Sequence, residues 1–225
     1  MKIFVDSANL NEIEEALKRG FVAGVTTNPS ILSKEERTDF RRHIRNIIKL
    51  LESYHVGIPL SVEVFTTKPK EMIRQAKEFA SEFGDYQGLN VKIPIGWNEL
   101  QVIHELKQHG IAINCTCCMS FNQVLTAALA GADFVSLFWG RIKDIGYDPR
   151  SVMTSIRQAF KQGAISSQVI VGSIRHICDI NEAFLAGADI VTVPAKFFPQ
   201  MVAHPKTDEA VNQFLADFAN WGTGG

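Results

Sequence analysis

No stretch of this 225-residue sequence is apolar for long enough to cross a bilayer, so a membrane-spanning role is excluded from the reading. Its formal net charge of −1 lacks the basic surplus that nucleic-acid binding requires, and Arg41, Arg42 and Arg45 read as one solvated helix face. There is no Walker A motif, no dinucleotide-type glycine fingerprint and no His-Glu-x-x-His, which removes the anchors of nucleotide, NAD and metalloprotease readings. No cofactor and no metal are expected. Cysteine is scarce, and three of the four (115, 117, 118 and 178) fall in Cys-x-Cys-Cys, a spacing that does not fit a zinc knuckle. On a regular strand Cys115 and Cys117 share the face opposite Asn114 and Thr116, which predicts packing against helices. No Pro/Gly/Ser linker or charge block divides the chain, so a single domain is expected over 1–220 with a flexible tail at 221–225. Because Met1–Asp6 already reads as a strand, no signal peptide is expected and the location is predicted to be cytoplasmic.

What is present is alternation. Short apolar runs near 3–6, 22–26, 60–64, 89–93, 111–116, 133–138, 168–172 and 189–193 read as strands. Amphipathic stretches near 10–19, 38–54, 69–83, 98–109, 120–130, 150–162, 177–186 and 196–202 read as the helices that follow them. Eight such units predict a closed (β/α)8 TIM barrel of the α/β class, with an additional C-terminal helix over 208–220. An open doubly wound sheet is the competing architecture. Residues 127–135, AALAGADFV, return at 183–191 as AFLAGADIV, each reading as helix end, glycine turn and strand start. Gly131 and Gly187 suit the positive-φ residue that stops a helix.

In such a barrel reactive groups lie at the carboxyl ends of the strands. Here those ends carry Asp6, then Thr26-Thr27-Asn28, Glu63, Lys92, Asn114 with Thr116, Ser136 followed by Arg141, and Ser173 with Arg175. Each alone has an ordinary role as a cap or surface charge, but jointly they converge on one mouth. Lys92 stands out because the run Leu89–Pro94 supplies it no counter-charge, although a lysine at a strand end is by itself commonly a surface residue. Desolvation favours the neutral amine, which attacks carbonyls to form a Schiff base. Phe138 shares the face of Ser136, where packing is the commoner role of an aromatic residue.

Together FVDSAN at 4–9, GVTTNPS at 24–30, VKIP at 91–94, Asn114-Cys115-Thr116, Gly140-Arg141-Ile142, Ser173-Ile174-Arg175 and HPKTD at 204–208 resemble the transaldolase family, in its short microbial form related to fructose-6-phosphate aldolases. The resemblance implies a class I enzyme that moves a dihydroxyacetone unit from sedoheptulose 7-phosphate or fructose 6-phosphate to an aldose phosphate, within the pentose phosphate pathway. It implies that Lys92 forms the Schiff base, Asp6 is the general acid/base, and Glu63 and Thr116 hold a water. Asn28 and Asn114 would bind hydroxyls or the intermediate, with Thr26 and Ser136 in support and Arg141, Arg175 and Ser173 on the phosphate. Sugar phosphates are then the expected partners, with neither nucleic acid nor membrane, in a ring-like homo-oligomer of five or ten copies. Ser7, Cys117-Cys118-Met119 and Trp139 depart from the family pattern, and Trp139 with Gly172-Ser173 is expected to shape the sugar pocket. Two other functions fit less well. One is an aldolase releasing free dihydroxyacetone, whose members tend to carry glutamine and tyrosine where this chain has Glu63 and Phe138. The other is a non-catalytic sugar-phosphate-binding barrel, which would not need the intact Lys92, Asp6 and Glu63 set.

Overall fold

A computed structural model describes residues 1–36, 39–55 and 57–222. The eight strands β1 (Lys2–Asp6), β2 (Val22–Thr26), β3 (Leu60–Glu63), β4 (Leu89–Pro94), β5 (Ile113–Cys118), β6 (Phe134–Phe138), β7 (Gln168–Gly172) and β8 (Ile190–Val193) are all parallel, and β8 pairs with β1 to close a barrel. This is the (β/α)8 architecture the alternation predicts. The chain forms two compact units, Met1–Ala195, which holds the barrel, and Lys196–Gly225.

Between the strands run α1 (Leu10–Lys18), α2 (Pro29–Leu32), α3 (Phe40–Tyr54), α4 (Pro69–Phe83), α5 (Trp97–Gln108), α6 (Phe121–Leu129), α7 (Trp139–Asp144), α8 (Pro149–Gln162) and α9 (Ile177–Leu185). The expected start of the third helix at 38 lies outside the described residues. The second unit holds α10 (Phe198–Val202) and α11 (Pro205–Gly222). α11 begins three residues before the expected 208, with Pro205 in its first turn and His204 Nδ1 accepting the Lys206 N–H at 3.1 Å. Trp221 and Gly222, expected in a tail, belong to α11, and 223–225 lie outside the described residues.

Two short helices were not legible as periodicity. α2 has four residues and α7 six, too few for a hydrophobic pattern to repeat. Strand five is displaced by two residues from the expected 111–116, because Gly110 at φ +74° continues the turn of α5 and the Ile111 N–H still bonds the Leu106 carbonyl.

The sheet separates two chemistries by its period of two. Outward residues such as Val5, Val62, Val91, Ile93, Val135, Leu137, Val169, Val171 and Val191 are fully buried, each contributing about 1.5–3 kcal/mol of hydrophobic burial. Inward, the amino end of the barrel is plugged by Phe4, Ile170 and Ile190, with Phe134 and Ala23 packed against them. Gly24 makes room for this plug, since a Cβ there would stand 2.5 Å from the Phe4 ring. Above the plug the inward residues turn polar: Ser61, Asn90, Asn114, Ser136 and Thr192 are buried and lead up to the mouth.

The internal echo is one structural device used twice. After α6 the Ala132 and Gly131 N–H groups bond the Ala127 and Ala128 carbonyls, and after α9 Ala188 and Gly187 bond Ala183 and Phe184. Gly131 and Gly187 have φ of +105° and +99°, as the predicted helix stops require. The aspartate that follows does the same work in each copy. Asp133 accepts the Ile113 N–H and pairs with Lys107; Asp189 accepts the Val169 N–H and pairs with Arg157.

Candidate active site

Closure brings the strand ends around a cavity of about 370 Å³ at the carboxyl mouth. Among the expected residues Asp6, Thr26, Asn28, Glu63, Lys92, Ser136, Phe138, Arg141 and Ser173 line it, joined by Pro29, Ser30, Ile31, Cys117, Gly172 and Thr192.

Lys92 is 5% exposed, and its Nζ donates to the Thr27 carbonyl at 2.9 Å. The register of β3 against β4 sets Glu63 opposite Lys92, and Glu63 Oε2 lies 3.1 Å from Nζ. The lysine therefore does have a counter-charge. It comes from the neighbouring strand, and pairing between strands cannot be read within Leu89–Pro94. With side-chain exposures of 6% and 14% the two charges are largely desolvated, which strengthens their attraction and makes the loss of either partner costly.

Asp6 ends β1, where its Oδ1 accepts the Thr26 hydroxyl at 2.7 Å. Burial pushes the Asp6 carboxyl above its ordinary value, and the Thr26 hydrogen bond and the charges of Lys92 and Lys34 only partly oppose this. Thr26 Oγ1 also lies 2.5 Å from Thr192 Oγ1. With Asp6 ionised, Thr26 spends its one proton on the carboxylate and Thr192 is the donor to Thr26, which gives a chain Thr192, Thr26, Asp6. Thr192 was missed in the sequence, although it is the only polar residue of β8 and shares the inward face of Ile190.

The expected residues outside the lining have other surroundings. Asn114 is fully buried one layer below, donating to Ser61 Oγ at 3.0 Å and accepting from Ser136 Oγ at 2.7 Å. Thr116 is also fully buried, and its Oγ1 is a polar atom without a hydrogen-bond partner among the described residues. Arg175 turns aside, its guanidinium held by Asp144 at 2.8 Å. Asn28 lines the cavity while its side chain caps α2, accepting the Ile31 N–H at 3.0 Å.

Cys117 corrects the alternation argument. The pairing of β5 with β6 shifts register between Cys115 and Cys118, and Cys117 adopts φ +64°. The bulge turns its side chain to the cavity instead of the helices, whereas Cys115 is fully buried as expected. Burial and the Glu63 carboxylate raise the Cys117 thiol pKa, opposed by Lys92, the Thr116 hydroxyl and Arg141. That hydroxyl influences the thiol without reaching hydrogen-bond geometry. Trp139, expected to shape the pocket, is fully buried in α7 and is not among the lining residues. Arg141, two positions on, is exposed at the rim, with its guanidinium 6.0 Å from the Phe138 ring centroid and no ion-pair partner among the described residues. No group of three or more His, Cys, Asp or Glu among the described residues is placed to hold a metal ion.

A family profile described as Transaldolase/Fructose-6-phosphate aldolase matches residues 3–223. The chain belongs to this family. A probable transaldolase of Dehalococcoides mccartyi is 41% identical over 218 residues, which span 97% of this chain and 98% of that protein. Another from Roseiflexus sp. (strain RS-1) is 39% identical over 224 residues, 100% of each chain. A third, from Halalkalibacterium halodurans, is 40% identical over 220 residues, covering 98% and 100%. The family supports an enzyme of the transaldolase/aldolase type, with sugar phosphates as its substrate class. No helix among the described residues is long and apolar enough to cross a membrane.

Proposed function

We propose that this chain is a transaldolase that carries a dihydroxyacetone unit on Lys92 from a ketose phosphate to an aldose phosphate. The observation that carries the reading is the buried Lys92 amine at the cavity, in contact with Glu63 of the neighbouring strand, with Asp6 of β1 lining the same cavity. Glu63, 3.1 Å away, takes a proton from the Lys92 ammonium, the freed amine attacks the ketone carbon, and loss of water gives an iminium. Asp6 accepts the proton of the C4 hydroxyl as the C3–C4 bond breaks, with the iminium taking the electron pair. Glu63 and the unpartnered Thr116 hydroxyl are suited to pass protons through a water while the carbinolamine loses and regains it. Ser136 and Asn28 offer polar contacts to the sugar hydroxyls, with Asn114 orienting Ser136 from below.

Arg141 and Ser173 are the proposed phosphate contacts. Arg175 would join them by leaving Asp144, an exposed ion pair of the kind worth about 0.2–1 kcal/mol. The second unit supports self-association: α11 exposes Val211, Phe214, Leu215, Phe218 and Trp221, a spacing that places apolar side chains along one helical stripe.

Release of free dihydroxyacetone is the second reading, and Glu63 and Phe138 argue against it. Phe138 offers no hydroxyl that would protonate the three-carbon fragment or direct water to it, and Glu63 stands where members that release dihydroxyacetone tend to carry glutamine, so the fragment waits for an aldehyde. Steady-state assay of free dihydroxyacetone from fructose 6-phosphate should show little without erythrose 4-phosphate and rapid exchange with it, while Phe138→Tyr should increase release. Rapid release by the parent protein without acceptor would establish an aldolase instead.

A further inference from the structure

The two elements that carry the proposed phosphate contacts are fastened to one another by a buried carboxylate. Asp179, in the first turn of α9, has no solvent exposure. Its Oδ2 accepts the Arg175 and His176 N–H groups, each at 2.9 Å, and thereby fixes the loop that follows β7. Its Oδ1 takes Lys143 Nζ of α7 at 2.6 Å, and the same ammonium reaches Glu182 Oε2 at 3.0 Å. A third tie lies closer to the cavity, where the Gly140 N–H bonds the Ser173 carbonyl at 3.0 Å. That approach requires glycine, because a Cβ at position 140 would stand 2.3 Å from the carbonyl oxygen and 2.7 Å from Arg175 Cγ. Ser173 itself is held at φ +59°, a conformation that a serine adopts only when its surroundings impose it.

Arg141 sits between Gly140 and Lys143 on α7, and Ser173 lies two residues before Arg175, so both cavity-lining groups fall inside the tied segments. We propose that Asp179 and Lys143 are positioning residues: they clasp α7 to the β7–α9 loop and so set the separation of Arg141 and Ser173 that receives a phosphate group. Neither residue touches the cavity. The inference rests on the reading of Arg141 and Ser173 as phosphate contacts. An isolated buried aspartate would be a poor choice for stability alone, whereas one that bonds two backbone N–H groups and a lysine fixes a relative geometry.

The test compares Lys143→Met, Asp179→Asn and Arg141→Ala, singly and with Lys143→Met combined with Arg141→Ala. Asparagine keeps an oxygen for the loop N–H groups but offers the lysine no carboxylate. Lys143, 37% exposed, provides a variant that should fold should Asp179→Asn fail to do so. The KM for fructose 6-phosphate and the inhibition constant of inorganic phosphate are expected to rise together by about tenfold. For Lys143→Met and Asp179→Asn, turnover at saturation and the borohydride-trapped dihydroxyacetone adduct on Lys92 should stay within about twofold of the parent. In the double variant Lys143→Met should add nothing to the effect of Arg141→Ala, since it acts through that residue. Parallel loss of kcat and of adduct formation, or a fully additive double variant, would overturn the clasp and leave Asp179 as a structural carboxylate. Arg141→Ala with unaltered phosphate inhibition would overturn the phosphate reading itself, and the inference with it.

Discussion

At the scale of single residues, the site depends on charges placed where water is scarce. Asp6 shows the consequence most directly, because its carboxyl is raised by burial against the opposition of Thr26, Lys92 and Lys34. A raised folded-state pKa means that the native protein holds the proton more readily than the unfolded chain does. The stabilising effect is therefore complete below the ordinary carboxylate value and is lost as pH rises through the folded pKa. Asp6→Asn should consequently melt at a higher temperature than the parent at neutral pH, with the gap closing as pH falls toward the carboxylate range. The same substitution keeps size and one acceptor but removes the proton acceptor, so cleavage should drop by about 10²–10⁴-fold while the Lys92 adduct still forms. Thermal melts across pH, alongside single-turnover cleavage, check both halves. An unchanged melting temperature would place Asp6 in a better-solvated setting than its burial indicates.

At the scale of elements, the periodic helices and the strand ends were legible because side-chain alternation and helix stops are local properties. Gly131 and Gly187 illustrate this, since a glycine between a helical and a strand pattern already predicts the positive φ that the structure has. Cys117 was not legible, because a bulge depends on how β5 meets β6 and no pattern within the Asn114–Cys118 run announces it. The two copies of the echo also differ in a testable way. A Cβ at 187 would stand 2.6 Å from Arg157 Cγ, whereas one at 131 would meet Lys107 Cγ at 3.2 Å. Both alanine substitutions carry the positive-φ penalty of about 1–2 kcal/mol. Gly187→Ala should therefore destabilise the barrel more than Gly131→Ala in chemical denaturation, with KM unchanged in both. Equal losses would mean that the Arg157 stem relaxes without cost.

At the scale of the whole molecule, closure supplies what the separate strands could not. Pairing of β1 with β8 brings Thr192 to Thr26 across 166 positions of sequence, and pairing of β3 with β4 sets Glu63 against Lys92. Those contacts were invisible in the sequence for the same reason: strand ends announce which residues reach the mouth, whereas register decides which of them touch. Arg175 shows the converse: it follows β7 in the sequence, yet its guanidinium is held by Asp144, a partner on a different element, and does not line the cavity. The account as a whole stands on the amine of Lys92 as the nucleophile. Incubation with fructose 6-phosphate followed by borohydride, with mass mapping of the peptides, is expected to find a reduced three-carbon unit on Lys92 and none in Lys92→Ala, whose fold should remain intact. Label on a different lysine, or on none across several ketose phosphates, would contradict it.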